Sequence, residues 1–563
     1  PREDKDTAPK NQPSIRPHRA PGPFSDQGTD PSCRKVMKPT PLALAALILC
    51  LGVRLHGKSS KPPNLIIILA DDMGYSDPAC FGGEMVTPAI DRLANEGVRL
   101  TRFQNAGMCV VSRASLLTGQ WWPRALKNFE RSPLLSEELR KIGYRSALIG
   151  KWHLEGHPMD RGFDHFFGFM DGFSDHFKGS PSYRLDRAPF KEFGTNYYST
   201  DQFTDRAIRF IAKDTGPTEK PFFLYLSYQA PHNPLQAPKS DILRNRGKYL
   251  AGWQAVREAR FRRQQEMGIV PVHAVLQDPP KNLPDWKSLT PAQRDLEDLR
   301  MAVYAAMIER MDHGIGRLLK ALNDLGKADN TWILFMSDNG ADSFSVMDQA
   351  MLQQNKLPGD PGSNWQPGTG WAHASGTPWR LYKISQHGGG ITTGAIAWKG
   401  GNVNHKRGSI QSSPVHMIDV MPTFLEIAKS QVRHEIAGES FASLLDGKPW
   451  QRQKALFFQY MDNRAIRNSE WTLAEVDGSG WELFNTQSDP LEAQNLAESK
   501  PEMVAAMQKQ WLEWWKKESG KPNYQADSTA TSQHYRPQGD KGSGEVYQPS
   551  SMPARLSNRF PCP

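Results

Sequence analysis

Four short apolar stretches constrain this chain more than anything else in it. Residues 65–70 read Leu-Ile-Ile-Ile-Leu-Ala, with no polar position. Residues 144–149, 222–228 and 332–336 are similarly rich in β-branched, aromatic and aliphatic side chains. A strand with one wet face alternates polar and apolar residues; a run that does not alternate is buried on both faces, as in a parallel sheet covered by helices. Between these runs lie segments with helical spacing, at 91–98, 133–142, 201–212 and 301–325, two of them closed by Gly143 and Gly326. Alternation of this kind predicts an α/β fold, a doubly wound, mostly parallel sheet flanked by helices.

Two regions interrupt the rhythm. Residues 240–300 are rich in Arg, Gln and Pro and read as a partly helical surface excursion. Residues 341–380, rich in Gly, Ser and Trp, read as a long loop, uncommon unless functional. Their tryptophans, and Trp121-Trp122, are suited either to stacking on sugar or aryl rings or to core packing. Past residue 440 come four short strand patterns, at 455–459, 464–467, 471–475 and 481–485, then an amphipathic helix at 501–518. They predict a smaller C-terminal α+β subdomain with an antiparallel sheet. The expected organisation is a leader over 1–61, a catalytic domain over 62–440, a subdomain over 441–520 and a disordered tail over 521–563.

The net charge of +9 is mostly a property of the leader. Residues 1–61 hold eleven Lys/Arg against five Asp/Glu, so +6 lies there and +3 on everything else. A nucleic-acid binder would carry its charge on the folded part, so that class is set aside. Residues 37–60 combine a basic start with a dozen apolar residues, the pattern of a secretory signal peptide, too short to span a bilayer. Export to the periplasm or medium is expected, with no stable membrane insertion. Cys50 lies in the apolar run but follows Leu49, a poor match to a lipoprotein anchor. Of five cysteines only Cys80, Cys109 and Cys562 lie beyond the leader, too few and too scattered for a disulfide framework.

The chemistry gathers at strand ends. Asp71 and Asp72 close the first apolar run, and Asp338 and Asn339 follow the run at 332–336. In doubly wound sheets ligands bind at the carboxyl ends of strands. Each pair alone would be an ordinary turn; brought together, three carboxylates and an amide need a cation, and hard oxygen donors suit Ca²⁺ or Mg²⁺. Lys151 and His153 follow the run at 144–149, His232 follows that at 222–228, and Lys383 and His387 lie in a glycine-rich segment. Taken together, lysines, histidines and Arg113 around a cation make a cradle for a tetrahedral oxyanion. Cys109 precedes Ser112, an N-cap candidate, and a helix start that favours anions. On its own it is a buried structural cysteine or a thiolate nucleophile.

The ordered set of motifs resembles one family. Ala70-Asp71-Asp72-Met73-Gly74-Tyr75, Cys109-Val110-Val111-Ser112-Arg113 with Leu117-Thr118-Gly119, Gly150-Lys151-Trp152-His153, Ala230-Pro231-His232, Ser337-Asp338-Asn339-Gly340, Leu381-Tyr382-Lys383 and Trp481-Glu482-Leu483-Phe484-Asn485 are similar to formylglycine-dependent sulfatases of bacterial arylsulfatase type, within the alkaline phosphatase-like superfamily. The resemblance implies that a maturation enzyme oxidises Cys109 to formylglycine. Its hydrate attacks sulfur through one hydroxyl and expels sulfate by deprotonation of the other. It also implies that Asp71, Asp72, Cys109, Asp338 and Asn339 hold a divalent cation, usually Ca²⁺, with Mg²⁺ an alternative. Arg113 and Lys151 would hold the hydrate and the sulfate, and His153 would assist the second deprotonation. His232, Lys383 and His387 would contact a sulfated small molecule or glycan, with His232 or Lys383 protonating the leaving oxygen. Three positions depart from the pattern: Val111 stands where Pro or Ala is usual, Gly388 where Glu is usual and Gly394 where Pro is common. A phosphodiesterase or phosphonate hydrolase on the same scaffold, and a non-catalytic binder of sulfated glycans, are the rival readings.

Overall fold

The computed structural model describes residues 61–213, 219–281, 283–431, 433–525 and 559–562. The expected signal peptide and Cys50 lie outside these residues, as does most of the expected tail. The strands are β1 (Asn64–Asp71), β2 (Val98–Gln104), β3 (Arg145–Lys151), β4 (His165–Phe169), β5 (Tyr183–Leu185), β6 (Ala188–Pro189), β7 (Phe222–Pro231), β8 (Thr331–Ser337), β9 (Thr392–Lys399), β10 (Ser409–Gln411), β11 (Val415–His416), β12 (Leu456–Tyr460), β13 (Asn463–Arg467), β14 (Trp471–Glu475) and β15 (Trp481–Asn485). The helices used below are α1 (Pro88–Glu96), α2 (Cys109–Thr118), α3 (Leu135–Lys141), α4 (Ser199–Ala212), α5 (Trp253–Glu266), α6 (Pro291–Asp324), α7 (Val420–Ile427) and α8 (Pro501–Ser519).

The large sheet runs β10-β2-β9-β8-β1-β7-β3-β4-β5-β6, with β11 also pairing β2. Strands β8, β1, β7, β3 and β4 are mutually parallel, and β9 is antiparallel to both its neighbours. The central strand β1 shows why its sequence is apolar throughout. Ile66, Ile68 and Ala70 enter one core beside α1, α4 and α6. Leu65, Ile67 and Leu69 enter the opposite core beside α2, α3 and α7. Successive strand side chains point to opposite faces, so two covered faces demand two apolar sets. Fully burying each such side chain is worth about 1.5–3 kcal/mol.

The second sheet, β12-β13-β14-β15, is an antiparallel meander. It packs on α8 through Trp511, Trp514, Trp515, Leu473 and Leu483. Phe441, Leu444 and Leu445, which precede this sheet in sequence, pack into the large domain's core.

One expectation needs correction, and two segments gain detail. Residues 240–300 are not a surface excursion alone. Helix α5 buries Arg257 and Arg260, and Arg260 is charge-paired with Asp77 at 2.6 Å and with Glu84 at 2.7 Å. The first turns of α6 also lie in this segment, ten residues before the expected start, capped by Thr290 and Gln293. Of the two roles open to the tryptophans of 341–380, core packing is the one found, for Trp365, Trp371 and Trp379 are all buried. Within the expected tail, Phe560 has a buried ring, and its carbonyl accepts from Arg246 at 3.1 Å.

Candidate active site

Sheet register assembles the site. Strand β1 sets Ala70 opposite Ser337 of β8, and Asp71 opposite Pro231 of β7. The residues that leave these strands, Asp72, Asp338 and His232, therefore emerge side by side. Strand β3 sets Gly150 opposite Ser227 of β7, which brings Lys151 to the same level. Cys109 is the first residue of α2, reached from β2 through Gly107, whose φ of 80° only glycine adopts readily. A Cβ at Gly107 would lie 2.6 Å from the Gln386 amide. Lys383 is tied from two sides. Its own N–H donates to Ala341 at 3.1 Å, and the N–H of Ile384 donates to Gly107 at 2.8 Å. That short segment thus joins the Asp338 loop to the Cys109 loop.

The side chains converge. Ligating atoms of Asp71, Cys109 and Asp338 lie within 4.8 Å of one another, and those of Asp71, Asp72 and His232 do likewise. All five residues are buried. Arg113 clamps Asp338 Oδ2 through Nε at 3.0 Å and Nη2 at 2.8 Å. Its Nη1 donates to the Lys151 carbonyl at 3.1 Å and to Ser227 Oγ at 2.5 Å. Lys151 Nζ donates to Asp71 Oδ2, and Lys383 Nζ to Asp72 Oδ2, each at 2.7 Å. Asn339 Nδ2 donates to Asp72 Oδ1 at 2.6 Å.

The electrostatics follow from burial and neighbours. Burial pushes the Asp338 carboxyl up to about 6, with Asp71 beside it adding to the rise and Arg113 opposing it. Asp72 is buried too, yet Lys383, His232 and Lys151 hold its carboxyl well below the usual range. Burial raises the Cys109 thiol, so the unmodified side chain is a poor nucleophile near neutral pH. Burial and the adjacent Lys151 lower His153 to about 2, which keeps its imidazole neutral. Its Nδ1 is buried without a hydrogen-bond partner, and its φ of 54° is a conformation non-glycine residues seldom adopt. His232 is lowered to about 3 by burial, against the pull of Asp72. Its Nδ1 faces the Asn233 carbonyl at 2.7 Å, which accepts, so that nitrogen carries the proton. Nε2 is left facing Asp72 Oδ2 at 3.5 Å.

A cation fits this donor set. Asp71 Oδ1 and Asn339 Oδ1 are buried with no hydrogen-bond donor. Orphaned hard oxygens beside crowded carboxylates are what Ca²⁺ or Mg²⁺ takes.

His387 does not share partners with this cluster. Its Nδ1 lies 2.8 Å from Glu492 Oε2 and its Nε2 lies 3.0 Å from Glu482 Oε2. Those carboxylates outweigh burial and raise its pKa. Glu492 also accepts the Gly388 N–H at 3.2 Å and pairs with Arg467. His387 thus fastens the Lys383 segment to the C-terminal subdomain, with a carboxylate beside each ring nitrogen. The glycine at 388 has a local cause: a Cβ there would lie 2.6 Å from the Trp379 indole.

Ser227, Asp342 and Phe173 also border the site, and no motif marks them. Ser227 is a hydroxyl inside an apolar strand, which is itself a signal. Asp342, pushed up to about 7 by burial, lies three residues past Asn339. Phe173 stacks on His232 with centroids 6.3 Å apart and planes 13° apart, and it is 50% exposed. An exposed phenylalanine on a site histidine is legible only in three dimensions.

The family model described as Sulfatase matches residues 63–430, about two thirds of the chain. The chain belongs to the sulfatase family. A second model, described as N-sulphoglucosamine sulphohydrolase, C-terminal, matches residues 399–518 of this sulfatase. An uncharacterised sulfatase of Schizosaccharomyces pombe is 32% identical over 523 residues, 80% of this chain and 93% of that protein. An arylsulfatase of Klebsiella aerogenes is 33% identical over 425 residues, 68% of this chain and 90% of that one. Among solved structures, Ps i-CgsB in complex with k-i-k-neocarrahexaose matches with a TM-score of 0.61 at 24% identity, covering 84% of this chain and 96% of its own. The sulfatase is a sulfuric ester hydrolase of the alkaline phosphatase-like superfamily.

Proposed function

We propose that this sulfatase hydrolyses aryl or carbohydrate sulfate esters with Cys109, oxidised to formylglycine, as its nucleophile. The observation that carries the reading is the convergence of Cys109, Asp71 and Asp338 within 4.8 Å in a buried pocket of strand ends. A raised, desolvated thiol is inert there, so conversion to another species gives the position its chemistry. Asp71, Asp72, Asp338 and Asn339 would hold a divalent cation, Ca²⁺ or Mg²⁺, which supplies Lewis-acid stabilisation of charge on the sulfate and the nucleophile.

The chain's own groups divide the remaining work. Lys151 and Lys383 each spend one ammonium proton on a carboxylate and have two left for sulfate oxygens. Arg113 holds Asp338, Ser227 and the Lys151 carbonyl in one rigid frame. Neutral His153, with a free buried Nδ1, can accept a proton from the nucleophile's second hydroxyl. His232 has its Nε2 directed into the pocket, where a bound anionic ester raises its basicity and lets it deliver a proton to the leaving oxygen. Phe173 offers an apolar plane beside His232 for the ring of the leaving alcohol.

Among the described residues no helix is long and apolar enough to cross a membrane; export through the N-terminal signal and maturation by a formylglycine-generating enzyme complete the proposal. The test is mass spectrometry of the Cys109 peptide from protein made with its maturation enzyme, alongside rates on 4-nitrophenyl sulfate and bis(4-nitrophenyl) phosphate. The expected peptide is about 18 Da lighter than the thiol form, and the sulfate is the faster substrate. An intact thiol in active protein sinks the mechanism. A faster phosphodiester rate turns the assignment to phosphodiester or phosphonate hydrolysis.

A further inference from the structure

A second polar cavity lies between the C-terminal subdomain and the part of the large sheet formed by β2 and the segment joining β10 to β11. Its volume is about 440 Å³, within the range of small-ligand sites. It is lined from β2 by Arg102 and Gln104, from the segment before β12 by Trp450, Arg452 and Lys454, and from β13 by Arg467. None of its lining residues belongs to the metal and sulfate cluster. Four cations line it and no carboxylate does.

Those cations are not equally satisfied. Arg452 pairs with Asp419, with Glu439 at 4.0 Å, and Arg467 pairs with Glu492; all three acids stand behind the wall. Arg102 and Lys454 make no ion pair among the described residues. Arg102 is half-buried; burial and the neighbouring Arg467 lower it to about 10, against a partial pull from Glu492, which is itself paired with Arg467. Gln104 Oε1 is buried with no donor. The remaining wall is mostly hydroxyl and amide, from residues such as Ser412, Asn468 and Gln487.

From this juxtaposition we infer that the cavity is a binding site for an anionic saccharide unit, one bearing a sulfate or carboxylate group. Arg102 and Lys454 would take the anion, the amides and hydroxyls the sugar hydroxyls, and Trp450 a ring face. A lone inorganic anion would leave most of 440 Å³ unfilled. The inference rests on this cavity and not on the hydrolytic reading.

The test uses the whole protein, a heparin-derived tetrasaccharide, uncharged maltotetraose and inorganic sulfate, with affinities measured by calorimetry and rates on 4-nitrophenyl sulfate. Lys454 is exposed, so Lys454→Gln should leave the fold intact; Arg102→Gln is the stronger perturbation. Expected are at least tenfold weaker tetrasaccharide binding in the double variant, a smaller loss in Lys454→Gln alone, steep weakening with salt, and an unchanged KM for the aryl sulfate. The inference is overturned if Lys454→Gln binds the tetrasaccharide like the parent, if maltotetraose binds equally well, or if inorganic sulfate alone reproduces the affinity. Absence of aryl sulfate turnover would count against the hydrolytic reading and leave this binding measurement intact.

Discussion

Arg113→Lys tests the frame that holds the site. The guanidinium is wholly buried and makes four hydrogen bonds, two to Asp338 and one each to Ser227 and the Lys151 carbonyl. An ammonium keeps the charge but lacks the fork, and from that position it can retain the Asp338 contact while losing about three bonds. At about 1.5 kcal/mol per bond to a charged group, the loss is about 4.5 kcal/mol, in line with about 3–5 kcal/mol for breaking a buried pair. Guanidinium unfolding should show that loss in stability at neutral pH. On 4-nitrophenyl sulfate, freeing Asp338 and Lys151 to shift should cost kcat about 100-fold, equivalent to about 2.7 kcal/mol. Parent-like stability together with a kcat within threefold of the parent would refute the idea that this clamp sets the site's geometry.

Further outcomes follow from other contacts. Glu492→Gln releases His387 and Arg467; kcat/KM should fall about tenfold through the Lys383 segment, and a parent-like value would dissociate His387 from that segment. Chelation should abolish hydrolysis, and Ca²⁺ or Mg²⁺ should restore it; at 100 times its Kd the ion should also add about 2.7 kcal/mol to stability, and an unchanged melting curve would count against the site. His416 is held neutral, its Nε2 facing the Asn105 carbonyl at 3.2 Å and its Nδ1 accepting from Ile418, and burial lowers it to about 3. Below its ordinary value the unfolded chain takes a proton that the folded chain refuses, so stability falls with falling pH between about 6.5 and 3. Comparing denaturant midpoints across pH, the parent should lose up to about 1.4 kcal/mol per pH unit more than His416→Gln; parallel curves would contradict the assignment.

The sequence made the sheet legible because its central strands are apolar on both faces, and β1 could be read as nothing else. Asp71, Asp72, Asp338, Asn339, Lys151, His153 and His232 could be read as one cluster because each follows such a strand, and the register carries them to one level; Cys109, Arg113 and Lys383 reach it from α2 and from a loop. Helix α5 was obscured by its composition. Arg257 and Arg260 look like solvent-facing charges, and only the distant Asp77 and Glu84 and the carbonyls of 373–379 explain their burial. The ion pairs of His387 were hidden for the same reason: its partners lie about a hundred residues downstream, and no local pattern announces them. The tryptophans at 365–379 illustrate the converse, since composition cannot say which way a ring points.

The tether from His387 to Glu492 means that the smaller unit is not a detachable module. A chain stopped after α7 would keep every side chain assigned to the cation and the ester, yet the backbone bearing Lys383 would be left with its ties to Ala341 and Gly107. Grafting that terminal unit from another sulfatase would then have to preserve one carboxylate in one place, and a transplanted unit without it should yield a folded but sluggish hybrid.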